Sequence, residues 1–138
     1  MTLALQPGIA DAIRRHGVET YPDECCGALF GREGIVTGTY ALPNTTEEGP
    51  RRRFRVRPQD YMEAERRATE SGADLVGFYH SHPDHPARPS QYDLDHAWPV
   101  FSYIIVSVRE GVAADMTSWR LTEDRSVFDE EHLVDGVN

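Results

Sequence analysis

The order of hydrophobic and polar positions along the chain predicts helices that alternate with strands. Ile9, Ala10 and Ile13 recur at the spacing of one helix face, so a first helix is predicted over residues 7–16. Gly17 is predicted to end this helix. Apolar runs separated by turn residues predict the later elements, which are strands at 26–30, 35–42, 53–57, 75–82, 103–108 and 116–121 and helices at 58–71 and 90–97.

This alternation predicts an α/β layer structure in which helices cover both faces of a sheet. A chain of 138 residues has the usual size of one domain, so residues 1–138 are predicted to form a single domain. The tail from Glu123 onward is acidic and has no clear periodicity. Phe128 and Leu133 are the apolar residues through which this tail would dock.

The opening residues and the hydropathy of the chain predict a cytoplasmic protein. Residues 1–5 lack the basic region and the long apolar stretch of a signal peptide, and no run of about 18 apolar residues occurs. A membrane partner is therefore not expected. The two cysteines, Cys25 and Cys26, are adjacent, which suits buried thiols better than a structural disulfide and makes neither a zinc ligand.

The formal charge of −9 is unevenly distributed and argues against nucleic acid as a partner. Residues 1–57 hold eight arginines against seven acidic residues, whereas residues 58–138 hold six against sixteen. All 14 basic residues are arginine. Five of them form a basic strip at positions 51, 52, 53, 55 and 57, which is either an edge strand protected by charge or a surface that docks the acidic side of a protein substrate.

Candidate chemistry begins with His80 and His82, which end an apolar run typical of a buried strand. Side chains two positions apart on a strand share a face, so the two imidazoles should point together. Imidazole is a common zinc ligand, and a catalytic zinc site has three protein ligands and one position for water or substrate. Without a metal, the same pair would be read as partly buried, hydrogen-bonded histidines.

Asp93 is the natural third ligand. The prolines between His82 and residue 90 cannot continue the strand, and Ser90 reads as the cap of a helix whose first turn contains Asp93. That turn can fold back over the histidines. Ser90 and Asp93 also fit an ordinary capping box, which requires no metal.

A hydrolase also needs a base that is not itself a ligand, to take a proton from the water at the metal. Glu24 is the candidate, because it lies where a turn gives way to a short apolar strand. A surface or turn role is the alternative for Glu24 taken alone.

Together these residues resemble the JAMM/MPN+ metallopeptidase family. The family motif is an upstream Glu, then His-Ser/Thr-His, Ser and Asp, with seven residues between the second His and Ser and two between Ser and Asp. The flanking sequences agree as well, and the similarity covers about residues 8–121. The matching residues are Glu24, His80, Ser81, His82, Ser90 and Asp93.

The resemblance implies a three-layer α/β/α fold, cytidine-deaminase-like, with a mixed sheet. It also implies that His80, His82 and Asp93 bind zinc. Glu24 would act as general base and then protonate the leaving amine, and Ser90 would stabilise the oxyanion. His85 and His96 are additional histidines near this site, and His85 is either a solvated loop residue or a substrate contact.

The resemblance further implies a substrate, because the chain is similar to small prokaryotic members of the family. These hydrolyse the bond after the C-terminal glycine of ubiquitin-like or sulfur-carrier proteins, so the expected partner carries a Gly-Gly tail. The leaving group, the oligomeric state and a divalent metal other than zinc stay open. Two alternatives are a non-catalytic module that binds ubiquitin-like proteins and a zinc amidohydrolase acting on a small substrate. A zinc deaminase is disfavoured, because its His-x-Glu and Pro-Cys-x-x-Cys patterns do not occur.

Overall fold

The structure is a computed structural model that describes residues 1–44 and 57–137. The elements within these ranges are, in chain order, β1 (Thr2–Leu5), α1 (Ile9–Thr20), β2 (Cys26–Arg32), β3 (Ile35–Leu42), α2 (Pro58–Glu70), β4 (Asp74–Pro83), α3 (Gln91–His96), β5 (Ser102–Arg109), β6 (Val112–Leu121) and β7 (Phe128–Val134). The predicted strand 53–57 and the basic strip lie outside the described residues, apart from Arg57. No helix in the described ranges has the length and apolar character needed to cross a bilayer.

The strands form one mixed sheet whose two edges are joined. Their order is β1-β3-β2-β4-β5-β6-β7, and β1 runs parallel to both β3 and β7, which closes the sheet into a barrel. β4 runs antiparallel to β2 on one side and parallel to β5 on the other. Because β4 has hydrogen-bonded partners on both sides, it is a firm base for the residues at its end.

Helices cover the two faces of the sheet, as the alternation of elements predicts. On one face α1 packs through a core that includes Ile13, Leu29 and Tyr79. On the other face α2 packs through a core that includes Ala64 and Phe78. Phe78 and Tyr79 are neighbours in β4, so the change of face follows from the two-residue repeat of a strand. The α/β layer arrangement is confirmed.

The prediction that Gly17 ends the first helix is wrong, because α1 continues to Thr20. Gly17 is buried and faces the sheet. A Cβ at this position would lie 3.1 Å from Val108 Cγ2 and 3.4 Å from Ser81 Cβ. The glycine therefore allows α1 to approach the sheet closely. This packing explains why the helix continues past Gly17, and it cannot be predicted from the local hydrophobic pattern.

β1 and β7 are strands that the hydropathy pattern did not predict. Leu3 of β1 is buried in the core, and the two strands pair with each other. Phe128 packs edge to face on Tyr103 with ring centroids 6.0 Å apart, and Leu133 packs against the core on the α1 face. The expected docking of the tail through Phe128 and Leu133 is confirmed.

Gly77 lies in β4, three residues before His80, where the strand passes very close to β5. A Cβ on Gly77 would overlap the backbone oxygen of Ser102, its partner across the pair. The obstruction is backbone rather than the flexible end of a side chain, so only separation of the strands could relieve it.

We expect Gly77→Ala to lower the free energy of unfolding by roughly 1–3 kcal/mol, the usual range for overpacking. Urea denaturation of the variant and the wild type measures the difference. Gly38→Ala is the matched control, because Gly38 also lies in a strand and its Cβ would meet only Phe30 Cβ, at 4.0 Å. Equal losses in the two variants would contradict the close approach of β4 and β5.

Candidate metal centre

β4 presents His80 and His82 on the face of the sheet that α2 covers. Phe78, two residues earlier, belongs to the α2 core, and residues at this spacing share its face. Both imidazoles are buried, with 1% of His80 and 8% of His82 exposed. Their Nε2 atoms lie 3.1 Å apart, which confirms that the two rings point together.

Ser81, between the two histidines, points to the opposite face and joins β4 to the segment before β2. Its Oγ accepts a hydrogen bond from the backbone N–H of Cys25 at 2.8 Å, across 56 positions of sequence. Its own N–H donates to the carbonyl of Cys25 at 3.2 Å. Glu24 directly precedes Cys25, so these two bonds hold Glu24 beside the histidines.

The loop after β4 is anchored by side chains from β5 and β6. Ser107 Oγ donates to the carbonyl of His85 at 2.7 Å, and Thr117 Oγ1 donates to the carbonyl of Ala87 at 2.7 Å. Ala87 itself is buried. The backbone of the loop is therefore fixed on the sheet, although several of its side chains are exposed.

Asp84 at the start of this loop connects it to the chain before Glu24. Its backbone lies in the left-handed region with φ 57°, and its carboxylate accepts from Tyr21 Oη at 2.7 Å and from the N–H of Glu110 at 2.8 Å. Three separate turns of the chain thus meet at one carboxylate. This contact is a second constraint on the position of Glu24 relative to His82.

The orientation of His82 is set by the same loop. Its Nδ1 lies 2.9 Å from the carbonyl oxygen of Pro86. Because a carbonyl oxygen can only accept, Nδ1 must carry the proton, and Nε2 is left as the atom that faces the centre.

Ser90 and Asp93 form the capping box that their spacing predicts, and the same carboxylate also faces the histidines. Ser90 Oγ accepts from the N–H of Asp93 at 3.1 Å, and Asp93 Oδ2 accepts from the N–H of Ser90 at 2.9 Å. The same Oδ2 lies 3.3 Å from His80 Nε2 and 3.2 Å from His82 Nε2. The capping interpretation and the ligand interpretation are therefore both compatible with the structure.

The three atoms have the mutual distances of a tetrahedral metal site. Ligand atoms held about 2.0 Å from a tetrahedral zinc ion lie about 3.3 Å from one another. The pairs formed by His80 Nε2, His82 Nε2 and Asp93 Oδ2 are separated by 3.1, 3.2 and 3.3 Å. Two imidazoles and a carboxylate are also a donor set that zinc accepts, so these residues fit the expected metal.

Glu24 is buried, with 6% of its surface exposed, and its carboxylate completes the group. One ligand atom each from Glu24, His80 and His82 lies within 4.8 Å of the other two. The two histidines belong to both possible sets of three metal ligands. The third ligand is Asp93 in one set and Glu24 in the other. Asp93 has the distances of a ligand, and Glu24 is placed close enough to act on a water beside the metal.

Electrostatics favours the metal-binding protonation state at His80 and Asp93, but not at His82. Burial lowers the pKa of His80 and outweighs the nearby Asp93 carboxylate, which favours a neutral ring. Burial also lowers the pKa of His82, but the hydrogen bond and charge of Asp93 outweigh burial and raise this pKa, which favours the protonated ring. Burial by itself favours the protonated acid at Asp93, yet the two histidines hold its pKa below the usual range. A carboxylate and neutral imidazoles are the forms that coordinate metal.

Two cavities meet at Asp93 and differ in character. One, of about 430 Å³, is largely apolar and is bordered by Tyr61, Phe78 and Trp98, with His80 and Asp93 at its end. The other has a volume of about 510 Å³ and is more polar. Its lining consists of Glu24, His82, Pro83, His85, Pro86, Arg88, Ser90, Tyr92 and Asp93.

The structure brings together Glu24, His80, His82, Ser90 and Asp93, the whole set predicted from the sequence. His85 also lines the polar cavity. His96 lines the apolar cavity and stacks on Tyr92 with ring centroids 4.1 Å apart. Both cysteines are buried and free, as expected. Sequence reasoning missed Arg88, whose only local signal is its place among the prolines that follow the histidines.

Comparison with known families agrees with this arrangement. A family model described as prokaryotic homologs of the JAB domain matches residues 7–122. The chain belongs to this family. The resemblance to JAMM/MPN+ proteins drawn from the motif is thereby confirmed, together with the fold class.

Two relatives of this chain match over most of its length. A desampylase from Haloferax volcanii is 36% identical over 112 residues, which are 76% of this chain and 80% of that protein. A CysO-cysteine peptidase from Mycobacterium tuberculosis is 28% identical over 122 residues, 88% of this chain and 84% of that protein.

Solved structures agree as well. A protein from Salinibacter ruber has a TM-score of 0.75 and 44% identity, and the match covers 96% of this chain and 91% of that one. A JAB1/MPN domain protein from Archaeoglobus fulgidus has a TM-score of 0.59, with 96% of each chain covered. At 18% identity this second likeness shows the fold alone.

We expect Asp93→Asn to lower the affinity for zinc by more than roughly a hundredfold, because losing only an outer hydrogen-bond partner of a ligand already costs about 10–100-fold. Competition with a chromophoric chelator measures the change. Asp95→Asn is the control, since Asp95 is an exposed acid of the same helix. Equal affinities of wild type and Asp93→Asn would exclude Asp93 as a ligand.

Proposed function

We propose that this protein is a zinc-dependent peptidase or isopeptidase acting in the cytoplasm. It hydrolyses the bond after the C-terminal glycine of a ubiquitin-like or sulfur-carrier protein. The observation that carries the proposal is the convergence of His80, His82 and Asp93 on one point, with Glu24 beside them.

The names of the relatives support the substrate class. One is called a desampylase and another a CysO-cysteine peptidase, and both match over most of their own length. The second name states a peptidase activity, and the prefix of the first indicates removal of an attached group. Hydrolysis of a peptide or isopeptide bond is the reaction that these activities share.

In the proposed site His80, His82 and Asp93 hold the zinc, which when bound supplies Lewis acidity toward a water and toward the scissile carbonyl. Glu24 accepts the proton that the attacking water loses and then gives a proton to the departing nitrogen. Its buried position beside the histidines suits both tasks, because the carboxylate is close to the reacting atoms and poorly solvated.

Ser90 is the proposed donor to the oxygen that becomes negative during the reaction. Its Oγ accepts from the N–H of Asp93 in the capping box, and that bond fixes the position of the oxygen atom. The hydroxyl proton is not needed for the cap and can be donated. Ser90 also lines the same cavity as Glu24, so the base and the donor face one space.

The reaction adds one water across one amide bond. The hydroxyl joins the carbonyl carbon of the glycine, the bond from that carbon to nitrogen breaks, and the nitrogen leaves as an amine with the proton that Glu24 transfers. The carrier thus ends in a free glycine carboxylate. A single amino acid, a lysine side chain or a longer extension can each provide the departing nitrogen.

The experiment is intact-mass spectrometry of a ubiquitin-like carrier with extra residues after Gly-Gly, incubated with the zinc-loaded protein. We expect loss of the mass beyond the last glycine, and no loss after chelation. Glu24→Gln should reduce the rate by at least roughly a hundredfold, because a positioned base contributes about 10²–10⁴-fold. The variant should keep its zinc, since Glu24 is not a ligand in this proposal.

Glu19→Gln is the matched control, because Glu19 is an exposed acid of α1. It should cleave the carrier like the wild type. Binding of the carrier with no cleavage by the zinc-loaded wild type would favour the non-catalytic module instead. Loss of zinc from Glu24→Gln would make Glu24 a ligand and leave the site without its proposed base.

A further inference from the structure

The polar cavity contains a cation that the proposed reaction does not use. Arg88 lines this cavity together with Glu24 and Ser90, and its side chain is exposed to solvent. Within residues 1–44 and 57–137 its guanidinium forms no ion pair, whereas that of Arg57 is held by the carboxylate of Asp60. Arg88 is therefore available to a ligand.

The backbone that carries Arg88 is fixed. The residue before it, Ala87, is buried and its carbonyl accepts from Thr117 Oγ1 at 2.7 Å. The N–H of Arg88 donates to the carbonyl of Pro86 at 2.8 Å, and Pro89 follows. The side chain thus starts from a constrained point, which reduces the entropy that is lost when it binds a ligand.

The rest of the cavity lining includes two acids and two histidines. Glu24 and Asp93 both border it, and Glu24 is the group that protonates the departing nitrogen. An amino acid with a free α-carboxylate would carry a negative charge on the carbon next to that nitrogen. The proposed zinc is committed to the water and the scissile carbonyl, so this carboxylate needs a separate cationic partner, and the planar fork of an arginine matches it with two hydrogen bonds.

A lysine side chain as leaving group has no such requirement. Its departing nitrogen is attached to a hydrocarbon stem, and the rest of the modified protein is remote from the bond that breaks. An arginine beside Glu24 gives that substrate no advantage. A cation in this cavity therefore favours an amino acid with a free α-carboxylate over a lysine side chain as the leaving group.

We propose that Arg88 binds the α-carboxylate of the departing residue, so that this enzyme preferentially releases a single amino acid from the end of its carrier. The inference rests on the proposed function and adds to it the class of leaving group and the residue that selects it. Arg88 acts here as a specificity-determining residue and takes no part in the proton transfers.

The test uses three forms of one carrier with the zinc-loaded enzyme. The first carries one amino acid with a free carboxylate after Gly-Gly, the second carries the same residue as its carboxamide, and the third carries a lysine joined through its side chain. We expect kcat/KM for the free acid to exceed that for the carboxamide by at least roughly tenfold, since a charge-assisted pair is lost in the amide. The lysine-linked form should resemble the carboxamide.

Arg88→Gln should lower kcat/KM for the free acid roughly tenfold, mainly through KM, and leave the carboxamide unchanged. Arg88→Lys should restore part of the preference, because it keeps the charge but not the fork. Arg15→Gln, at an exposed arginine of α1, should keep the wild-type preference. In a Glu24→Gln background the free-acid carrier should bind more tightly than the carboxamide, and Arg88→Gln should remove this difference.

Equal turnover of the free acid and the carboxamide by the wild type would overturn the assignment to Arg88 while leaving the peptidase intact. A preference that survives Arg88→Gln would overturn it as well. Cleavage of none of the three carriers, with zinc bound, would instead reject the proposed function and this inference with it.

Discussion

The arrangement of the site depends on one buried carboxylate oxygen, Asp93 Oδ2. A buried negative charge is costly unless it is paired and hydrogen-bonded. Here the oxygen accepts from the N–H of Ser90 and lies within 3.3 Å of both histidine Nε2 atoms. α3 has six residues and is too short to be stable alone, so the contacts of its first turn with β4 decide where it lies. Cap, helix and histidines are therefore one cooperative unit.

The loops around this unit have no regular secondary structure, and hydrogen bonds to neighbouring strands and turns hold them in place. Ser107 and Thr117 bind the carbonyls of the loop after β4, and Asp84 joins it to Tyr21. Ser81 binds the backbone next to Glu24. These bonds come from different strands and turns, so the two histidines, Asp93 and Glu24 keep their separation without a bound metal having to impose it. Preorganisation of this kind reduces the reorganisation needed during reaction.

The two cavities give the two sides of the centre different chemistry. Aromatic residues border the side that contains His80, and an apolar shell of this kind limits the access of solvent to a metal site. The side that contains Glu24 and Ser90 is polar and carries the arginine that the proposed leaving group requires. In the proposed reaction, bond cleavage and selection of the leaving group would thus occur in the same space, which His82 and Asp93 also line.

Local sequence determined the parts of this protein that depend on short-range geometry. The two-residue repeat of a strand directs His80 and His82 to one face, and the preference of serine for a helix start places Asp93 in the first turn of α3. Zinc was inferred from the spacing of the histidines, and Glu24 was a candidate from its place between a turn and a strand. The JAMM/MPN+ resemblance then connected Glu24 to the histidines, which spacing could not do because they are remote along the chain.

Only the tertiary structure decided the rest. β1 and β7 have weak hydrophobic patterns, and they form strands because they pair with each other. Gly17 remains inside α1 because the helix packs closely on the sheet at this residue. Helix propensity takes no account of such packing. Arg88 acquires its significance because a loop fixed by two other strands places it in the cavity of Glu24. Each of these outcomes depends on contacts between residues remote in sequence, which local periodicity cannot encode.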